Sequence, residues 1–154
     1  MASLIGIGLG LSVCALATMI GLDRDRAFYP TITIVIASYY ALFAIMGGSL
    51  RVLATESIAI AAFLLISIVG FKKNLWLIVG ALCAHGVFDF VHDKLIADPG
   101  VPSWWPAFCL TFDWVAGAYL AFLIVGQRMI ANRDHATAAR RSTSSDRSPS
   151  RPPL

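Results

Sequence analysis

Charged residues are scarce in this sequence. Only 14% of its 154 residues are Asp, Glu, Lys or Arg, whereas soluble domains carry about 25%. Hydrophobic residues make up 58%, more than the roughly 45–50% that is usual in a soluble domain. This balance excludes an ordinary soluble domain of the same length. It predicts an all-α, polytopic membrane protein.

Cysteine is also rare, and Cys14, Cys83 and Cys109 all lie in apolar segments. An odd number of thiols within lipid excludes a disulfide framework. Basic residues are absent before the first apolar run, residues 4–22. A signal peptide would need a basic segment there, so we interpret this run as an uncleaved first helix.

Four further apolar segments follow, which gives five expected transmembrane helices. The purely apolar part of the third segment, 58–71, is 14 residues long, but a spanning helix needs about 20. The third helix is therefore expected to begin near Arg51 and to include Glu56. The five predicted helices are residues 4–22, 31–47, 51–71, 75–96 and 107–130.

The composition changes after the fifth helix. From residue 132 onward Ser, Arg and Pro dominate and apolar residues become rare. Such a segment has too little apolar surface to bury and is expected to stay disordered. The predicted organisation is a five-helix transmembrane domain, 1–131, followed by a disordered, basic, Ser- and Pro-rich cytoplasmic tail, 132–154.

The basic residues predict the orientation of the helices. If the C-terminus is cytoplasmic, five spans place 10 of the 12 Lys and Arg residues on the cytoplasmic side, in agreement with the positive-inside rule. The N-terminus is then outside, and the chain is a multi-pass protein of the cell membrane. Because these residues are explained as topology signals and contacts with anionic lipid, no nucleic-acid partner is expected.

A polar stripe runs along the fourth predicted helix. On a helix that turns about 100° per residue, His85, Asp89 and His92 fall within an arc of about 60°. A charged residue at the centre of a bilayer costs roughly 2.5 kcal/mol or more, so ionisable groups there usually have a function. The stripe is therefore the first place to look for chemistry.

Three carboxylates on different helices are expected at one depth. In the predicted topology Glu56, Asp89 and Asp113 all lie in the outer half of the membrane, and they would repel one another unless protonated, paired or bound to a cation. His and carboxylate ligands suit zinc, iron or manganese. The sequence therefore predicts a divalent metal site. Its expected ligands are His85, Asp89, His92 and Asp113.

The metal prediction leaves several points open. His85 and His92 are about 10.5 Å apart along the helix axis, so either Asp89 pairs with one of them or two ions are bound. Cys109, one turn before Asp113, could be a further ligand. Three further alternatives are open. Glu56 could simply pair with Arg51, and Tyr39 or Tyr40 could either supply a proton or only pack. Trp104 and Trp105 could form either an interfacial aromatic belt or a lid over the substrate.

The same region carries a resemblance to a known family. The pattern His85-x3-Asp89-x2-His92, followed by Pro99, Pro102, Pro106 and Cys109-x3-Asp113, resembles a family of small bacterial and fungal integral membrane proteins of unknown function. The resemblance covers about residues 85–113. It implies a membrane protein with a polar site at these positions but no particular activity.

The leading hypothesis is a membrane-embedded, metal-dependent enzyme of hydrolase or isomerase type. Its substrate would be a lipid or other apolar molecule, and Glu56 would act as general acid or base. The first alternative is a proton- or cation-coupled carrier or channel subunit. The chain has no internal repeat to form a path, although a homo-oligomer would supply one. The second alternative is an accessory or assembly protein whose polar layer only fixes helix packing.

Overall fold

The computed structural model of the protein describes the backbone of residues 1–145 and the side chains of residues 1–126. This part of the chain is all-helical, as predicted, and contains no strand. A short 3-10 helix, Leu22–Arg24, joins the first two α-helices. The five α-helices are α1 (Ala2–Ile20), α2 (Phe28–Met46), α3 (Leu50–Lys72), α4 (Trp76–Leu95) and α5 (Trp105–Ser145).

Four of these helices are long and apolar enough to cross a membrane. They are α1, α2, α3 and the Trp105–Gly126 part of α5, with mean hydropathies of 2.1, 1.6, 2.3 and 1.9. The fourth helix is not in this group, because it carries the polar stripe. Its 20 residues nevertheless extend about 30 Å at 1.5 Å per residue, close to the thickness of the hydrocarbon core. Helix composition thus indicates a membrane protein.

Local sequence signals explain where the helices begin and end. Gly21 ends α1 with φ of 81°, a left-handed conformation that glycine adopts without steric cost. Pro30 lies in the first turn of α2, where a missing N–H breaks no helical hydrogen bond. The Ser49 side chain caps α3 by accepting a hydrogen bond from the Val52 N–H at 3.2 Å.

The C-terminal part of the chain differs from the prediction. The fifth helix was expected to end near residue 130, but α5 continues to Ser145. Ala136, Ala138 and Ala139 have the highest helix propensity of any residue type, which outweighs the lack of apolar burial there. The chain forms two compact units, Met1–Ala121 and Phe122–Leu154. The rest of the predicted disordered tail, 146–154, lies outside the described residues.

Within the first unit, glycines let the helices approach closely. A Cβ atom at Gly6 of α1 would overlap the backbone of Phe108 and the hydroxyl of Thr111 on α5. The Thr111 hydroxyl also donates a hydrogen bond to the Ser3 carbonyl at 3.0 Å. On α4, a Cβ at Gly86 would lie 3.2 Å from the Leu110 backbone. Small residues at such crossings give the van der Waals contact that holds membrane helices together.

The connection between α4 and α5 packs on the end of α2. A side chain at Gly100 would overlap the Phe43 carbonyl oxygen, so only glycine fits here. Asp98 is buried and accepts a hydrogen bond from the Gly100 N–H at 2.9 Å. The Trp105 ring then packs edge-on against Phe43 and Tyr39, at centroid distances of 4.8 and 5.2 Å. This connection closes the bundle at the end nearest the polar stripe.

Candidate metal centre

The polar stripe of α4 faces the interior of the first unit. His85, Asp89 and His92 are each no more than 1% exposed, while Val87 and Phe90 on the other side of the helix are 48% and 63% exposed. The 3.6-residue period of the helix separates these two faces. All three polar side chains are thereby directed towards the neighbouring helices α2, α3 and α5.

Three of the buried ionisable residues converge on one point. The Nδ1 atom of His85 lies 2.8 Å from Oδ2 of Asp113 on α5 and 3.2 Å from Oδ2 of Asp89 on α4. Both carboxylates are fully buried. Among the described side chains, these three residues form the group of possible metal ligands, with donor atoms all within 4.8 Å of one another.

The hydrogen bonds of this group do not balance. A single imidazole nitrogen faces two carboxylates, and it can donate its one hydrogen to only one of them at full strength. Within the described side chains, His85 Nε2 and Asp113 Oδ1 have no hydrogen-bond partner. Buried polar atoms are nearly always paired, because an unpaired one costs roughly 1–3 kcal/mol. The arrangement therefore lacks a positive group or further donors.

The donor spacing fits a bound cation. Ligand atoms about 2.0–2.2 Å from a metal ion are about 3 Å apart at the right angles of an octahedral site and about 3.5 Å apart in the tetrahedral geometry of zinc. The His85 to Asp113 and His85 to Asp89 distances of 2.8 and 3.2 Å are close to the octahedral spacing. One imidazole and two carboxylates would suit zinc, iron or manganese and leave coordination positions free for water or substrate.

The fourth predicted ligand, His92, lies elsewhere. Its Nε2 atom is 2.6 Å from Oε1 of Glu56 on α3, and both side chains are fully buried. His92 is two helical turns from His85, which keeps it out of the group that converges on Asp113. Glu56 thus pairs with a histidine, and its predicted alternative partner, Arg51, is exposed. The structure brings the five predicted site residues together as two clusters.

Tyr40 joins the two clusters. Its hydroxyl donates a hydrogen bond of 2.5 Å to Oδ1 of Asp89, and its ring stacks on His92 with a centroid distance of 4.3 Å and an interplanar angle of 26°. Tyr40 is 1% exposed, whereas Tyr39 is 39% exposed. The sequence marked both tyrosines as candidates without assigning either to the site. Adjacent residues lie about 100° apart on a helix, so only one could face it.

The remaining candidates separate into neighbours of the centre and packing residues. Cys109 is buried one helical turn before Asp113, on the same side of α5. Cys83 packs between α4 and α5, where its sulfur would lie 3.3 Å from a Cβ at Gly117. Phe63 of α3 closes one side of the centre, edge-on to the His85 ring at 4.7 Å. No sequence signal distinguished Phe63 from the other apolar residues of α3.

Comparison with known proteins found no similar protein. No family model, no curated protein and no solved structure matches this chain. The resemblance to a family of small integral membrane proteins therefore stays a prediction. The function of this chain is inferred from the geometry of the site.

Proposed function

We propose that this chain is a multi-pass protein of the cell membrane in which His85, Asp89 and Asp113 bind one divalent metal ion. The ion would serve catalysis on a lipid or another apolar substrate. The single observation that carries the proposal is the buried His85 Nδ1 atom facing two carboxylates at 2.8 and 3.2 Å. A cation there would supply the positive charge that the two acidic side chains lack.

A metal ion in this position would activate a bound water molecule. Three protein ligands leave at least one position open, and the charge of the ion lowers the pKa of water bound there. Such an ion would supply an activated water for hydrolysis. A new bond from oxygen to the carbon or phosphorus atom of the substrate would replace the bond to the leaving oxygen, and the leaving oxygen would take up the proton. Glu56, with its carboxylate paired to His92, is our candidate for accepting and returning that proton.

Elemental analysis tests the metal directly. The protein, purified in detergent without chelators, should contain close to one equivalent of zinc, iron or manganese. A chelator should remove the ion and lower the thermal stability, because the ion binds only the folded state. Wild-type protein that is free of metal and fully stable would end the proposal.

The orientation is a separate part of the proposal. With five spans the N-terminus is outside and the connection between α4 and α5 is outside as well. The opposite end of the bundle would then be cytoplasmic, and there Arg26 donates a hydrogen bond to the Phe71 carbonyl at 2.7 Å. A single cysteine introduced by Ser103→Cys should react with an impermeant thiol reagent in intact cells. Reaction only after permeabilisation would reverse the orientation, but it would leave the metal centre untouched.

A proton or cation carrier is the second candidate. The observation in its favour is the connection that Tyr40 makes between the two buried clusters, through the Asp89 hydrogen bond and the His92 stack. Such a series of titratable groups could pass a proton between them. A carrier needs no tightly bound metal, so the elemental analysis separates it from the enzyme. If the wild type contains no metal and both functions fail, a structural role in helix packing remains.

A further inference from the structure

An apolar groove runs between α1, α2 and α5 and borders the centre. Its volume is about 390 Å³, within the range of small-molecule sites, about 300–1,000 Å³. Leu9 and Val13 line it from α1, Ile36 and Tyr39 from α2, and Cys109 and Phe112 from α5.

The groove reaches the metal centre through one residue. Cys109 lines the groove and is 2% exposed. It lies one helical turn before Asp113, so its side chain is on the same side of α5 as that ligand. The thiol thus lies where the apolar groove meets the side of α5 that carries the buried Asp113 carboxylate. A molecule lying in the groove would have one part next to the centre.

The shape and lining of the groove indicate its occupant. The residues that α2 contributes run from Phe28 to Tyr39, a distance of about 16 Å along the helix. The lining is almost entirely apolar. The helices α1 and α2 and the first part of α5 are each long and apolar enough to lie in a bilayer. Lipid chains would therefore surround the mouth of the groove, and an extended chain fits its length better than a compact molecule does.

We propose that the groove binds one acyl chain of a bilayer phospholipid and thereby presents an acyl lipid to the centre formed by His85, Asp89 and Asp113. The role of this lipid as substrate rests on the function proposed above. The binding of the chain does not, because it depends on the groove alone.

A matched pair of substitutions on α2 tests the groove. Val35 lines it and is 47% exposed, while Leu42 is 48% exposed on the same helix and is not part of the lining. In Val35→Trp the indole should fill the groove, and Leu42→Trp adds the same bulk elsewhere. Each protein is incubated in detergent with palmitoyl-oleoyl phosphatidylethanolamine, and native mass spectrometry counts the lipid retained per protein. We expect one lipid on the wild type and on Leu42→Trp, and at least tenfold less on Val35→Trp.

A second pair repeats the test from α1. Leu9 lines the groove and is 47% exposed, and Leu11 is 51% exposed outside the lining. If Val35→Trp does not fold, Leu9→Trp with Leu11→Trp as its control decides the question. Equal lipid retention by the groove variant and its control would overturn the proposal. So would a wild type that retains no lipid, or a groove variant that changes only the oligomeric state, since the groove would then be a contact between copies.

Metal content distinguishes this proposal from the function on which it rests. Val35→Trp should lose the lipid and keep the ion, and Asp113→Asn should lose the ion and keep the lipid. If the wild type holds the lipid in the groove but no metal, the acyl site stands and the proposed enzyme fails. If it holds the metal but no lipid, the centre stands and the acyl lipid is excluded as the occupant of the groove.

Discussion

The two buried clusters on α4 differ in their balance of charge. His92 and Glu56 form a one-to-one pair at 2.6 Å, in which a single proton or a full ion pair satisfies the atoms that meet. Seven residues earlier on the same helix, the His85 side chain lies between two carboxylates, those of Asp89 and Asp113. The two clusters have similar burial, and each joins one histidine to carboxylate side chains. Only the second has a surplus acidic group.

This difference separates a pair that is balanced in charge from a cluster that can bind a cation. A buried ion pair whose partners satisfy each other is close to neutral in stability compared with apolar residues of the same size. A cluster with an unmatched carboxylate is unfavourable until a proton or a cation joins it. Glu56 Oε2 and His92 Nδ1 also lack a hydrogen-bond partner among the described side chains, so the two clusters differ in their balance of charge. One pairs a single histidine with a single carboxylate, and the other has a carboxylate in surplus.

The largest effect is expected from breaking the charge-balanced pair. His92→Leu would leave Glu56 buried without its partner and should lower the free energy of unfolding by about 3–5 kcal/mol. Adding Glu56→Met removes the isolated carboxylate and should restore most of that loss. Unfolding in mixed micelles measures both variants. The double variant should also retain its metal, provided that the pair lies outside the coordination shell.

The pair could still belong to the centre. If the double variant His92→Leu/Glu56→Met folds well but has lost the ion, His92 or Glu56 is a ligand after all. The distinction between a charge-balanced pair and a separate metal site would then be wrong.

The next effect concerns the cluster with the surplus carboxylate. Asp89→Asn and Asp113→Asn should each remove most of the bound metal, because a neutral amide is a much weaker ligand. The double variant should lose little more, since an ion can be lost only once. Stability should fall by about 2.7 kcal/mol when free metal is at 100 times its Kd. Elemental analysis and thermal unfolding, with and without a chelator, measure both quantities.

The chelator provides the internal control for these variants. It should destabilise the wild type and leave Asp113→Asn unchanged, because that variant has no ion to lose. Additive loss of stability in the double variant, with no response of the wild type to the chelator, would indicate separate hydrogen bonds. The surplus carboxylate would then be a packing feature.

Much of this architecture could be predicted from the sequence. Apolar segments located all five helices, four of which are long and apolar enough to span a membrane. The 3.6-residue period placed His85, Asp89 and His92 on one buried face. The partner of His92 could not be predicted, since any of the carboxylates on neighbouring helices was at a suitable depth. The rotation of each helix about its axis decides such contacts, and apolar residues on every side leave that rotation undetermined.

The choice between Tyr39 and Tyr40 depended on the same rotation. An amphipathic helix would have shown which tyrosine faces inward, but α2 has apolar residues all round. The structure directs Tyr40 to Asp89 and leaves Tyr39 packed against Trp105 at the edge of the bundle. The sequence therefore indicated Tyr40 as one of two candidates but could not show which of the two faces the site.

The smallest effect is expected from the residue that connects the two clusters. Tyr40→Phe removes the hydroxyl that donates to Asp89 and keeps the ring that stacks on His92. Hydrogen bonds to charged groups contribute about 1.5–3 kcal/mol, and we expect a loss near the lower end because the aromatic contacts remain. Partners that orient a ligand typically change metal affinity by about 10–100-fold.

Tyr39→Phe, at the half-exposed neighbouring position, is the matched control and should change neither stability nor metal affinity. Metal titration should therefore show at least about tenfold weaker binding for Tyr40→Phe alone. If Tyr40→Phe loses stability without any change in metal affinity, Tyr40 only fills the space between the clusters, and Asp89 is oriented by α4 itself.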